Sequence, residues 1–320
     1  MTTTDDTPTS LTDPQRTVHL VVDYLAYHSG QAKVAITRAK ALEELGYRTK
    51  IWTADVDFPF AESQFDIETL NALGPTGMPM IARPISVPEE DIVILEGGAL
   101  GNFFLHNNNV AYINHGFVPR SVTDTRRISH QVYISTRLPQ LQFADSIYSV
   151  SEYAKSQLES KLGYQSSVSY NPIDTNRFRT IATDQHHELG VLSGSRSLLN
   201  ALEQTDINIY SPDFVPETEL PKFYSSLSVF CHLTAWDSFG LPVVESMACG
   251  TPPVVLDNSV KREIVGIDEL IASTPQEAIE IIKQLIDNDE LRSDLAEMSR
   301  SRVENMFDHT ELTRELINDI

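Results

Sequence analysis

The chain predicts an α/β protein of two doubly wound, Rossmann-like domains that face one cleft. Three observations carry this. Its 320 residues exceed what one hydrophobic core usually organises and suit two domains of ordinary size. Short apolar runs alternate with stretches of helical periodicity, as in a parallel sheet covered by helices. One late stretch, Asp237 to Val255, reads as a loop, a short buried helix and an inside strand, which sets a helix amino end at the carboxyl edge of such a sheet.

The elements follow in order. A polar, acidic, proline-bearing leader over 1–16 is expected to be disordered and lacks the apolar stretch of an export signal. Thr17 to Val22 is an apolar strand, and a loop runs on to Gln31. Lys33 to Leu45 has helical spacing of Val34, Ile36, Ala39, Leu42 and Leu45 and stops at Gly46. Tyr47 to Thr53 is the second strand, completing the unit that opens a doubly wound domain. Asp91–Leu95, Val110–Ile113 and Ala144–Val150 are further strands, and Glu152–Leu162 is a helix capped by Ser151. The first domain is expected over 17–165 and the second over 166–303, with 304–320 as a helix returning to the first. The second domain should open with a strand at Ser167–Tyr170 and continue with strands at Glu188–Leu192, Ile207–Tyr210 and Ser228–Leu233. Helices are expected at Arg196–Leu202, Leu220–Ser226, Gln276–Ile286 and Glu290–Glu304.

Composition narrows the function classes. With 41% hydrophobic residues the chain is globular, and no apolar run approaches the ~20 residues that span a bilayer. A net charge of −21 opposes nucleic acid as a partner and broad adsorption on anionic lipid, leaving peripheral membrane contact without support. Cys231 and Cys249 sit in apolar surroundings, so free buried thiols and a cytoplasmic setting are expected. Asp55-Val56-Asp57 imitates a metal motif but follows the second strand, and His186-His187 has no further ligand at metal spacing. No metal and no cofactor are expected.

The chemistry concentrates after Thr234. Gly240 frees the backbone, Pro242 suits a first helical turn, and Gly250 suits a left-handed cap. The helix between them points its free N–H groups and positive dipole at the loop carrying Asp237, a ready anion site. Glu245 lies eight positions after Asp237 on the same helix. Two carboxylates that can grip hydroxyls, beside a phosphate-binding backbone at Ser238, Phe239, Gly240 and Leu241, suit a nucleotide sugar. Taken singly, a carboxylate at a helix start is more often a cap, and one on a helix more often solvated.

As a whole, DSFGLPVVESMACGTPPVV resembles the acid-x7-Glu signature of retaining glycosyltransferases of family four, the glycosyl transferases group one type. Members mostly show Glu-Gly-Phe-Gly-Leu-Pro before Glu-Ala-Met-Ala-Cys-Gly-Thr-Pro; here Asp237, Ser238 and Ser246 replace Glu, Gly and Ala. Weaker matches occur in the right order. Ser29-Gly30-Gln31-Ala32-Lys33 resembles the family's Gly-Gly-Ala-Glu loop, and Ile113-Asn114-His115-Gly116 its strand-plus-His element. Ala144-Asp145 with Ser151-Glu152, Asn171-Pro172-Ile173-Asp174 and the terminal Phe307-Asp308 also match. The resemblance implies the GT-B fold and a metal-independent retaining transfer from a nucleotide-sugar donor to a saccharide or other hydroxyl acceptor. It makes His115, Asp237 and Glu245 catalytic and places Gly30 against the donor.

The pattern breaks at the entrance of the second domain. The family usually carries a Gly-Arg…Lys-Gly segment whose cations hold the diphosphate, whereas Phe178 to Asp237 contains only Arg179, Arg196 and Lys222. Gly194 and Arg196 open a small-residue loop where one guanidinium can bind phosphate in two-pronged fashion; an ordinary solvent arginine fits equally. Arg120, Arg126, Arg127 and Arg137 meet a single acid, Asp124. They suit an anionic acceptor, or else ion pairs with the acidic terminal helices. Two other functions stay open: a non-catalytic GT-B subunit binding glycan or a partner enzyme, and a sugar-nucleotide epimerase.

Overall fold

The computed structural model describes residues 16–26, 29–57, 64–70, 85–98, 100–104, 109–116, 128–184, 186–192, 205–234 and 237–320. The leader before Arg16, the Leu192–Arg196 loop beyond Leu192 and the helix expected at Arg196–Leu202 lie outside them.

The first domain is a parallel sheet. Strands β1 (Thr17–Val21), β2 (Tyr24–Ala26), β3 (Arg48–Thr53), β4 (Asp55–Asp57), β5 (Asp66–Thr69), β6 (Ile92–Leu95), β7 (Val110–Asn114), β8 (Ser146–Ser149) and β9 (Ser167–Val168) follow one another. Seven of them form one sheet in the order β5-β3-β1-β6-β7-β8-β9, while β2 and β4 pair separately. Every residue of β6 and β7 is buried, because helices cover both faces and the strands read as continuous apolar runs. Helices α1 (Gly30–Glu44), α2 (Ile128–Phe143) and α3 (Glu152–Leu162) belong to this half. Ser29 caps α1 by accepting from Ala32 N at 3.3 Å, so the helix starts earlier than its apolar spacing suggests and takes Gly30 into its first turn. The metal-like Asp55-Val56-Asp57 is β4, hydrogen-bonded to β2.

The second sheet runs β11-β10-β12-β13-β14, from β10 (His187–Gly190), β11 (Ile209–Tyr210), β12 (Leu227–His232), β13 (Pro253–Leu256) and β14 (Ile271–Ala272). Its helices are α4 (Leu220–Ser225), α5 (Leu241–Ala248), α6 (Ser259–Val265), α7 (Pro275–Asp287) and α8 (Asp289–Met306). All its strand pairs are parallel. His187 opens β10 and stacks on Tyr210 with ring centroids 4.3 Å apart. Cys231 and Cys249 are free and buried, and burial pushes both thiols up to about 12.

The strand expected to open the second domain closes the first sheet instead, since β9 pairs with β8 through Tyr148–Ser167 and Ser149–Val168. Chain passage between the sheets follows at Asn171-Pro172-Ile173-Asp174. There Ile173 N donates to Phe307 O at 2.8 Å and His309 N to Ile173 O at 3.1 Å. The outgoing and returning segments thus run side by side. The last helix, α9 (His309–Asp319), lies on the first domain: Thr310 Oγ1 reaches Glu44 at 3.0 Å and Tyr148 OH reaches Asp319 at 2.8 Å.

Candidate active site between two loops

Strand β12 is buried along its whole length and ends beside the candidate motif. Its last residue, His232, and nearby Thr234 aim at Asp237. Asp237 Oδ2 accepts from Thr234 Oγ1 at 2.7 Å, from Lys261 Nζ at 2.5 Å and lies 3.1 Å from His232 Nε2. All three contacts fall on Oδ2, so among the described residues Oδ1 carries none. Burial pushes the Asp237 carboxyl upward, but the His232, Lys261 and Thr234 contacts outweigh it and hold the group well below the usual carboxylate range. The residue is therefore an ionised acceptor with one free oxygen.

Gly240 turns the chain at φ +96°, which only glycine adopts freely. Any Cβ there would approach Lys261 Nζ to 2.6 Å. Pro242 sits in the first turn of α5, and no side chain caps the helix. Val243 N and Val244 N bond back to Gly240 O at 3.0 and 3.3 Å, leaving the N–H groups before them for a ligand. The side chain of Phe239 is committed to packing, 2% exposed and edge-on to Phe307 at 5.5 Å. It therefore offers only its backbone to a donor.

Glu245 is not a solvated helix residue; it is 3% exposed. Tyr224 OH donates to its Oε2 at 2.8 Å, and Lys33 from α1 of the first domain approaches Oε1 at 3.8 Å. Lys33 also pairs with Glu217 at 2.6 Å, and Arg177 meets Glu217 at 3.0 Å. Burial raises the Glu245 carboxyl and Glu217 adds to this, while Lys33, Tyr224 and Arg177 oppose it; the net direction is up. The cavity beside this cluster is about 20 Å³, room for a water and far below the few hundred Å³ of a nucleoside pocket. Lys33 thus closes α1 over the carboxylate in this conformation.

His115 leaves the carboxyl end of β7 and points back at the end of β6. Its Nε2 lies 2.8 Å from Glu96 Oε2, and Arg38 Nε donates to Glu96 Oε1 at 2.8 Å. An ionised carboxylate only accepts, so Nε2 carries a proton in this contact. Glu96 is fully buried; burial alone would raise it, but Arg38 and His115 hold it at about 2. Gly116 follows at φ +87°, and a Cβ there would lie 2.3 Å from Ser238 Cβ. Ser151 Oγ donates to Ser238 O at 2.8 Å. A Cβ on Gly30 would stand 3.5 Å from Leu241 Cδ1. The fold therefore brings Gly30, His115, Asp237, Ser238, Gly240 and Leu241 together across the domain junction, with Glu245 under α1.

Gly194, Arg196, Arg120, Arg126 and Arg127 lie outside the described residues. Sequence reasoning missed Lys33, Arg38, Glu96, Glu217, Tyr224, His232 and Lys261. A signal existed for three of them: Lys33 and Arg38 interrupt apolar helical spacing, and Glu96 ends an apolar strand before Gly97-Gly98. Among the described residues no group of three or more His, Cys, Asp and Glu is arranged to hold a metal ion.

Two parallel sheets with strand ends and helix termini meeting at their junction define the GT-B class of fold, and known structures agree. Sucrose-phosphate synthase from Thermosynechococcus elongatus superposes with a TM-score of 0.70 at 14% identity, over 95% of this chain and 98% of that one. Anabaena HepE, solved with UDP and glucose, gives 0.69 at 16% identity over 95% and 99%. Residues 195–302, about a third of the chain, match the family described as glycosyl transferases group 1. O-antigen chain mannosyltransferase B of Escherichia coli is 36% identical over 59 residues, which is 18% of this chain and 16% of that protein. The chain thus matches about one sixth of that curated relative's length. No described helix is long and apolar enough to cross a membrane.

Proposed function

We propose that the protein is a metal-independent retaining glycosyltransferase that moves a sugar from a nucleotide sugar to a hydroxyl acceptor. The observation that carries this is Asp237, an ionised carboxylate at the uncapped amino end of α5 with Oδ2 clamped and Oδ1 open among the described residues. Asp237 accepts hydrogen bonds from hydroxyls of the donor sugar. The diphosphate lies on the backbone at Ser238–Leu241, where the helix dipole stabilises its growing charge as it leaves. Glu245 takes the ribose hydroxyls once α1 and Lys33 move off it, and His115 offers Nδ1 to the sugar from the facing domain. In the step itself the anomeric carbon's bond to the diphosphate oxygen breaks. The acceptor oxygen bonds to the same face, and its proton passes to the departing phosphate oxygen. Closure of the domains excludes water that would otherwise hydrolyse the donor.

Arg196 is the expected second phosphate contact, and Arg120, Arg126 and Arg127 the acceptor side. The charge of −21 favours a saccharide or other small acceptor over nucleic acid. Free buried Cys231 and Cys249 favour the cytoplasm.

The test is a thermal-shift screen with UDP-, GDP-, dTDP- and ADP-sugars, followed by transfer and hydrolysis assays. A true donor at a hundredfold its dissociation constant stabilises the fold by about 2.7 kcal/mol. Asp237→Ala and Glu245→Ala should each abolish turnover in folded protein, and EDTA should leave it unchanged. Unaltered turnover in either variant removes the assignment, and loss of activity in EDTA removes metal independence. A non-catalytic binding subunit is the second reading, favoured by the small cavity over which Lys33 closes. Such a subunit binds glycan or a partner glycosyltransferase and should show no hydrolysis of any nucleotide sugar.

A further inference from the structure

The family's usual cation pair for the donor diphosphate is absent from 179–237 except for Arg179, Arg196 and Lys222, yet a buried lysine stands in the site from another element. Lys261 belongs to α6, whose start is fixed by Asn258 accepting from Lys261 N at 2.8 Å. That cap sets the first turn of α6 against the Asp237 loop. The Lys261 side chain is 0% exposed and its Nζ meets Asp237 Oδ2 at 2.5 Å. The same Nζ is the atom a Cβ on Gly240 would strike at 2.6 Å, so the ammonium lies at the amino end of α5. Burial pulls its pKa down and the contact with Asp237 opposes that shift.

Three arginines of this domain are committed elsewhere. Arg262 pairs with Asp257 at 2.7 Å. Arg302 donates to the carbonyls of Ile264 and Glu263 at 2.8 and 2.7 Å, and Arg300 to those of Phe178 and Ala248.

Without Lys261, a doubly charged diphosphate at the α5 end would face the bare negative charge of Asp237. We propose that Lys261 is a positioning residue that cancels the charge of Asp237, so that the donor diphosphate can lie at the amino end of α5 beside that carboxylate. This rests on the donor-binding reading above and deepens it. The lysine takes over part of the usual cation pair's electrostatic work, acting through the residue that also grips the sugar.

The experiment measures dissociation constants by calorimetry for UDP, GDP, dTDP and ADP, each beside its bare nucleoside, at low and moderate salt. These probes carry no sugar, so the hydroxyl contacts of Asp237 do not enter. Lys261→Met should weaken the diphosphate by about tenfold or more, and the bare nucleoside by less than about twofold. Asp237→Asn should bind the diphosphate as tightly as wild type or tighter, because Lys261 is then uncompensated. The double variant Asp237→Asn/Lys261→Met should recover most of the loss. Three results overturn the inference alone: equal loss for nucleoside and diphosphate, weaker diphosphate binding by Asp237→Asn, or no recovery in the double variant. Should Lys261→Met fail to fold, Asp237→Asn still decides. A wild type that binds none of the nucleoside diphosphates overturns the donor reading and this inference with it.

Discussion

Glu96→Gln separates a charge from a shape at an ion pair whose two side chains are both 0% exposed. The amide keeps the carboxylate's outline and still accepts from Arg38 Nε, now 2.8 Å from Glu96 Oε1. What it removes is the negative charge facing Arg38, whose side chain is 0% exposed and whose Nη1 and Nη2 have no hydrogen-bond partner. Leaving one partner of a buried ion pair uncompensated costs about 3–5 kcal/mol. Since the amide preserves one hydrogen bond, the lower end, about 3 kcal/mol, is expected. For a chain of this size that is a melting temperature lower by roughly 6 °C.

The pH dependence has a definite sign. The folded Glu96 carboxyl sits at about 2 against an ordinary 4.5, so its stabilisation is complete above 4.5 and is lost as pH falls towards about 2. The melting gap between wild type and Glu96→Gln should therefore be full at neutral pH and shrink below about 4.5. The assay is a pair of melting series from neutral to acid pH. A variant melting within about 1 °C of wild type at neutral pH, or a gap unchanged by acid, refutes the reasoning. Loss of the Glu96 contact should also free the His115 tautomer and lower kcat.

Gly116→Ala should lose about 1–2 kcal/mol for the left-handed backbone. Its Cβ, 2.3 Å from Ser238 Cβ, should also force the two loops apart and lower kcat more than donor affinity. Adding Ser238→Gly should restore much of kcat, whereas a double variant as slow as the single one would show that the loops need not touch. Tyr224→Phe removes the hydroxyl 2.8 Å from Glu245 Oε2 and should cost about 1–3 kcal/mol. It should also raise the apparent donor constant; unchanged donor affinity would place Glu245 outside the ribose site.

By itself the chain determined the local chemistry. Gly240 at a left-handed turn, Pro242 in a first helical turn, Gly250 at the close of α5 and apolar β12 and β13 are short-range consequences of backbone sterics and burial. They could be read at their own positions, and with them the parallel α/β class and the Asp237–Glu245 spacing. The tertiary structure decided what those carboxylates meet. Tyr224, Lys261 and Lys33 lie 21, 24 and 212 positions from their partners Glu245, Asp237 and Glu245. Such pairings carry no periodicity and no local motif; they arise only when helices from different parts of the chain share a buried contact. The same holds for β9, too short for its own composition to choose a sheet, which joined the first because β8 presented the adjacent free edge. A buried charge must find its opposite somewhere in the fold, and only packing says where.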